Sequence, residues 1–386
     1  MIRITFKISL SLILLLSGTA CTDFVEPDQL TVVLGSGIDY AEDGMIELSH
    51  QLVIPAQWKV TSSGGNSSDS NAFVISAKGR NIFEASQNTQ RKLSRKLLTN
   101  HRIMIAISDE FFEKADARSL FDKLNRDPAN NQRDILLMVK GSAREFLTID
   151  HPMEQLSSIA AGKELQINGL GDFTTRRFIL DSASEGTRPM VPVLKVEKMN
   201  RGNSDKEESI VVLSGFSVLD KELKVKGFLE NIEGFRAIWM AGKGTFNGWT
   251  IPWKDNEGYL SLRLNHLHRR IHSVQNDPEH IVLTVTAKAY LLENTTSLDM
   301  SEVENMIDVE KQINKQVEKE LQETMSKVQQ WGTDVFGIGE YLHRKYPYWW
   351  KRQRDDWDEN FKNIEITVKA NIQLMSIGTS GSQVKL

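Results

Sequence analysis

The sequence predicts an α+β fold class, three mixed α/β domains, on three observations. Strand-length apolar runs alternate with helical segments over the first half of the chain, which argues for a mixed sheet. Longer runs with period-2 alternation follow from Ile210 onward, the pattern of antiparallel sheets. A long amphipathic helix and then a second helix come after most of them, so the C-terminal domain is expected to be a long-stranded antiparallel sheet packed by both.

The chain opens with an export signal. Arg3 and Lys7 form a positive n-region, and Ile8 to Leu16 an apolar h-region of nine residues, short of the roughly 20 needed to span a bilayer. The small residues Ser17, Gly18, Thr19 and Ala20 lead into Cys21, the single cysteine of the chain. A thiol at a new N-terminus can take a diacylglycerol, and two or more acyl chains hold a folded body at a membrane far more durably than one. Cys21 is therefore the expected lipid attachment site. Gly18 stands where lipoprotein signals prefer an aliphatic residue, so ordinary signal cleavage after Ala20 is the competing reading. No disulfide can form within the chain.

Leu30 to Leu34 and Met45 to Ile54 read as a hairpin turning at Gly35 to Asp39. The polar run Ser62 to Ser70 reads as a loop before a strand at Ala72 to Ala77. Asn81 to Asn100 places Ile82, Phe83, Leu93, Leu97 and Leu98 among Arg91, Lys92, Arg95 and Lys96, which predicts a helix with a basic face. Ile103 to Ile107 and Ile135 to Val139 are short buried strands, with a helix from about Phe111 to Asn125 between them. His151 and Pro152 interrupt the pattern, and the charged run Met199 to Ser209 ends a polar stretch that begins at Asp181. The expected division is 1–20 signal peptide, 21–150 N-terminal mixed domain, 151–200 small middle domain and 209–379 C-terminal domain.

In the second half, Ile210 to Leu219, Glu222 to Leu229, Tyr259 to Leu267 and Ile281 to Leu292 alternate as strands. Ser301 with Glu304 three residues on suggests a capping box. Met306, Ile313, Val317, Leu321 and Val328 then mark one narrow apolar side, so this helix should lie across a sheet. A second helix is expected from about Gly339 to Asp358, and a last strand from Ile364 to Ser376.

Candidate sites are few. The formal net charge of −4 argues against nucleic-acid binding through global charge, and the 40% hydrophobic content is ample for a folded body. LGSGIDY at Leu34 to Tyr40 lacks the third glycine of a dinucleotide fingerprint. AGKGTFNG, with Gly242, Gly244 and Gly248, lacks phosphate-loop spacing and reads as a turn. His266, His268 and His272 cannot all share one face of a regular element, and Arg269 and Arg270 among them would repel a cation. His343 to Arg354, HRKYPYWWKRQR, mixes five basic residues with Tyr346, Tyr348, Trp349 and Trp350. The expectation is that its aromatics pack a helix onto the sheet while its charges reach solvent, contact with anionic lipid or a partner being the alternative. No serine-hydrolase or zinc-protease motif occurs, so no cofactor, metal site or catalytic residue is assigned.

Several segments in order resemble the Ger(x)C family, lipoprotein C subunits of nutrient germinant receptors in endospore-forming bacteria. They are LTVVLGSGIDY from Leu30, KGRNIFEASQNTQRKLSRKLLTNHRIMIAISDEF from Lys78 and LNRDPANNQRDILLMVKGSAREFL from Leu124. VLSGFSVLDKELKVKGFLENIEGFRAIWMAGKG from Val212 and DVFGIGEYLHRKYPYWWKRQRDDWDENF from Asp334 follow. Thr22 to Gln29 replaces a Trp-Asp-Arg-Arg-Glu-like stretch of that family, and Thr19 and Ala20 intervene before the cysteine. The resemblance implies a non-enzymatic, three-domain receptor subunit held by lipid at Cys21 on the outer face of the spore inner membrane. Its implied partners are an A subunit and a permease-like B subunit, and it leaves open whether the germinant touches this chain. A stand-alone solute-binding envelope lipoprotein is the competing function, although such proteins usually have two similar lobes and the halves here differ.

Overall fold

The structure is a computed structural model and describes residues 26–53, 72–127, 130–154, 156–200, 207–245, 248–254 and 257–378. Cys21 with the signal segment, the Ser62 to Ser70 run and residues 201–206 of the charged run lie outside the described residues.

Nine strands form the first sheet, in the order β3-β2-β1-β5-β6-β7-β8-β9 with β4 also on β1. The N-terminal meander is β1 (Leu30–Tyr40), β2 (Ile46–Val53) and β3 (Ala72–Gly79), antiparallel throughout. β1 does not stop at Leu34 to turn through GSGID, as the sequence suggests; the string is strand, and the turn falls at residues 41–45. The glycines serve close approach instead. A Cβ on Gly35 would lie 2.9 Å from Ser158 Cβ, and one on Gly37 would lie 3.0 Å from the backbone of Ala143.

The helix expected over Asn81 to Asn100 is shorter. Asn81 caps α1 (Ile82–Gln90) by accepting from Glu84 N–H, and β4 (Lys96–Leu98) then pairs parallel with the start of β1. Arg91, Lys92 and Arg95 therefore lie in the connection and make no helical face. β5 (Met104–Ser108) runs parallel to β1 and leads into α2 (Asp109–Lys114) and α3 (Ala117–Arg126), two helices where one was expected. β6 (Ile135–Val139) follows, parallel to β5, and then α4 (Ala143–Leu147), α5 (Ser157–Ile167) and α6 (Thr175–Ala183).

The central strands are buried on both faces. Met104, Ala106, Leu137 and Val139 join one apolar cluster, while Ile105, Ile107, Leu136 and Met138 join another on the opposite side. This is the period-2 alternation of β5 and β6 expressed in three dimensions. Helices α1, α2 and α3 cover the second cluster, through Ala85, Phe111 and Leu120 among others. Helices α4 and α5 cover the first, through Phe146 and Leu165.

β7 (Met190–Asn200) pairs parallel with β6, and β8 (Glu207–Leu219) and β9 (Val225–Glu230) continue the sheet antiparallel. Two strands grouped by sequence texture with the C-terminal sheet thus belong to the first one. The positions near 150 and 200, where divisions are expected, have strands of this one sheet on both sides.

Helix α7 (Asn231–Ala241) ends at left-handed Gly242 and leads to the second sheet, β10 (Gly248–Pro252), β11 (Tyr259–Ser273), β12 (His280–Asn294) and β13 (Glu365–Ser376). The first three are antiparallel, but β13 returns parallel to β12 after the helices. Helix α8 (Val303–Gln330) lies across β13, burying Ile313, Val317, Leu321 and Val328. Ser301 is not its cap; the Ser301 hydroxyl bonds Asp299, and the helix starts after Glu302. The second helix is three short ones, α9 (Ile338–Lys345), α10 (Pro347–Gln353) and α11 (Trp357–Asn363), because Pro347 opens a new helix where α9 stops.

Candidate functional site

Charged side chains concentrate where the segment between α6 and β7 meets the C-terminal helices. Asp334, in the turn before α9, is fully buried. Its Oδ1 accepts from Phe336 N–H at 3.0 Å and Ile338 N–H at 3.2 Å, and its Oδ2 from Gly339 N–H at 2.7 Å and Trp357 Nε1–H at 3.3 Å. Burial pushes its carboxyl above the ordinary aspartate range, opposed by these backbone donors and by the Arg188 charge. The Asp334 carbonyl in turn accepts from Arg188 N–H at 2.7 Å.

Arg188 is held from several sides. Its Nε and Nη2 lie 2.8 and 2.6 Å from Asp358 Oδ1, and its Nη1 donates to the carbonyls of Ser184, Glu185 and Thr187. Glu185 receives Trp350 Nε1–H at 3.3 Å and Arg354 Nη1–H at 3.2 Å. Gly186 and Gly339 touch backbone to backbone, since a Cβ on Gly186 would sit 2.4 Å from the Gly339 carbonyl carbon. Residues 184–188 are thus clasped by residues 334–358, far apart in sequence.

Beside this clasp, Lys243 follows the left-handed cap of α7 and reaches Asp181 on α6 at 2.8 Å, both side chains at most 10% exposed. Arg177, one turn earlier, approaches the same carboxylate at 3.2 Å. Burial, and secondarily the charges of Arg177 and Arg269, lower the Lys243 ammonium from the usual lysine range, with Asp181 opposing. Arg269 donates from Nη1 to Met240 O at 3.0 Å and also to Phe336 O, tying β11 to α7 and to the turn before α9. Two cavities of about 360 and 260 Å³ flank Arg177 and Lys243. The arrangement is a cation-rich junction built on ion pairs.

The motifs singled out in the sequence fall elsewhere. His266 sits at a bulge in β11 with φ 53°, and it lines an open depression with His268. His272 is exposed further along the strand, and among the described residues no His, Cys, Asp or Glu group is placed to hold a metal. In the basic aromatic segment Trp350 is buried, stacking on His343 at 5.7 Å and meeting Trp357 edge-on at 4.9 Å. Tyr346 bonds Ser273 at 2.5 Å, whereas Tyr348 is 90% exposed. Asp39 of the GSGIDY string accepts from Ala143 and Arg144 N–H at 2.7 and 2.9 Å, so that motif secures the start of α4. Sequence reading missed Lys243, Arg269 and Asp334. The available signal was a lone charge within an apolar and glycine-rich run, as in WGTDVFGIG at Trp331 to Gly339.

The comparisons with known proteins agree with this architecture. The family model described as spore germination protein N-terminal domain matches residues 23–196, and that described as spore germination B3/GerAC like, C-terminal, matches residues 214–378. The chain belongs to this Ger(x)C family of spore germination proteins. Relatives of the family include spore germination protein KC of Bacillus subtilis, 24% identical with 98% of each chain covered. Spore germination protein A3 of the same organism is also 24% identical, with 96% of each covered. The crystal structure of the GerBC protein matches with a TM-score of 0.55 at 17% identity, covering 88% of this chain and 97% of that one, which shows a shared fold. The segments around Asp39, Asp334 and Trp350, which carry the sequence resemblance, hold residues that join elements of this chain. Among the described residues no helix is long and apolar enough to cross a membrane.

Proposed function

We propose that this chain is a non-enzymatic, lipid-anchored subunit of a nutrient germinant receptor. In this reading Cys21 carries the lipid, the body stands on the outer face of the spore inner membrane, and it assembles there with A and B membrane subunits. The observation that carries the reading is the order of parts: a basic and then apolar N-terminal segment leading into Cys21, then the two spore-germination family models in succession. A body tethered beside its partners meets them at high effective concentration, which a weakly binding soluble chain would lack. The site geometry supports a conformational role, because the buried charges at the junction bind parts of the chain to one another. Deleting the gene should abolish germination in response to the nutrient while germination by calcium dipicolinate persists. An unchanged nutrient response in a strain lacking every other receptor would overturn the proposal.

A further inference from the structure

A third cavity, of about 280 Å³, lies within the N-terminal part, near the lower end of the roughly 300–1,000 Å³ typical of small-molecule sites. Ile82 of α1 and Leu120 and Leu124 of α3 give it an apolar wall. Its other wall is polar and holds His50, which lies between Ser49 and Gln51 on β2 and is only 3% exposed.

His50 Nδ1 lies 3.0 Å from Ser36 Oγ on the neighbouring strand. Arg102 Nη1 donates to the same Oγ at 3.4 Å, while Arg102 Nε and Nη2 both lie 2.6 Å from Asp134 Oδ2. Arginine can only donate, so the serine oxygen accepts from it and keeps its own proton to give. His50 Nδ1 lies within reach of that proton, and the assigned tautomer is the one in which it accepts. Burial, with the charges of Arg102 and Lys123, lowers His50 to about 3, so the ring is neutral and has one proton. With Nδ1 accepting, that proton is on Nε2, which is buried and has no hydrogen-bond partner. A buried donor without an acceptor is unfavourable and calls for a ligand group. Lys96, Arg102 and Lys123 also line the cavity; Asp134 pairs with Arg102 and Asp127 lies 3.0 Å from Lys123, which leaves one positive charge in excess.

We propose that this cavity binds a small monocarboxylate with a short apolar body. One carboxylate oxygen accepts from His50 Nε2–H, the single positive charge in excess favours the anion, and the alkyl part lies against Ile82, Leu120 and Leu124. The inference rests on the cavity alone and stands whether or not the chain is a receptor subunit.

The test uses the full-length protein labelled with ¹⁵N at histidine, titrated with the series from acetate to hexanoate and, separately, with pentylammonium. The unliganded protein should show the Nε2–H tautomer of His50. Carboxylates should shift that signal, with affinity rising about fourfold per added methylene until the cavity is full. Pentylammonium should leave it unmoved. His50→Asn removes the Nε2 donor and should weaken hexanoate binding at least tenfold, whereas His50→Gln, with an amide nitrogen near that position, should retain more of it. An Nδ1–H tautomer, equal response to pentylammonium, or no shift with any carboxylate, the last meaning that water alone fills the cavity, would overturn the proposal. If the variants do not fold, the wild-type titration decides.

Discussion

Asn314 on the long helix α8 turns both ends of its amide to the backbone of Ile372 on β13: its Oδ1 accepts from Ile372 N–H at 2.7 Å and its Nδ2 donates to Ile372 O at 3.0 Å. The contact is one of a series. Glu310 accepts from Leu374 N–H, Glu318 from Ala370 N–H and Gln322 from Val368 N–H, at 2.8 to 3.0 Å. Four residues of helix advance about 6.0 Å and two residues of strand about 6.6 Å, so the two repeats stay in step over several turns. The helix thereby satisfies the outer edge of a strand that would otherwise be open to pairing with another chain.

Asn314→Leu should destabilise the protein by about 1–3 kcal/mol, because it leaves a half-buried N–H and C=O of Ile372 without partners. Exposed Lys315→Ala, on the adjacent position of the same helix, should change stability by no more than about 0.5 kcal/mol. Urea unfolding of both variants checks the pair. Equal effects would mean that the edge contacts contribute nothing.

Gly37→Ala should cost about 1–3 kcal/mol, since the new methyl meets the Ala143 backbone, which cannot swing away as a side-chain end could. Gly171→Ala places its methyl in open space and should be near neutral. Thermal unfolding distinguishes this packing role from the ligand role that GSG strings can suggest.

At the junction the two halves of the Lys243 and Asp181 pair should respond unequally. Asp181→Asn leaves a buried ammonium without its counter-charge and should cost about 3–5 kcal/mol. Lys243→Met leaves Asp181 with Arg177, which is half exposed, and should cost less. Denaturant midpoints for the two variants measure the asymmetry; a larger loss for Lys243→Met would contradict it.

His50 also makes a pH prediction. Its folded value, about 3, is below the unfolded 6.5, so between those values the unfolded chain binds a proton that the folded one does not. The stabilising contribution is complete above pH 6.5 and is lost as pH falls toward 3, by about 2 kcal/mol at pH 5. His50→Gln should remove that part of the slope. Asp39, Asp134 and Asp334, whose carboxyls are raised by burial, act with the opposite sign and remain in the variant. Stability against pH for the two proteins, compared between 5 and 7, isolates the histidine.

Cys21→Ala should abolish acyl labelling, move the protein out of the membrane fraction and eliminate the nutrient response. Wild-type protein that takes no acyl label would refute the anchor and leave the family membership untouched. Gly18 and the Thr19, Ala20 pair before the cysteine make this measurement informative.

Much of the fold was legible locally. The short apolar runs Ile103 to Ile107 and Ile135 to Val139 marked strands, and the stripe from Ile313 to Val328 marked a helix lying on a sheet. The break-up of the second helix at Pro347 was also written there, though periodicity alone ran through it. The charged junction was not legible, because Asp334 and Arg188 acquire partners only when residues distant in sequence meet. The contact of His50 with Ser36 and Arg102 is of the same kind, made between three separate strands and turns.

By itself the sequence determined the class of fold, the long helix and the family, because these depend on residue order, periodicity and short motifs. Tertiary structure decided that β8 and β9 extend the first sheet and that the GSG string is a packing surface. It also decided that the polar side of α8 is a partner for β13 rather than a solvated face. The physical reason is that backbone and buried polar groups need partners, and which groups supply them depends on how distant segments pack.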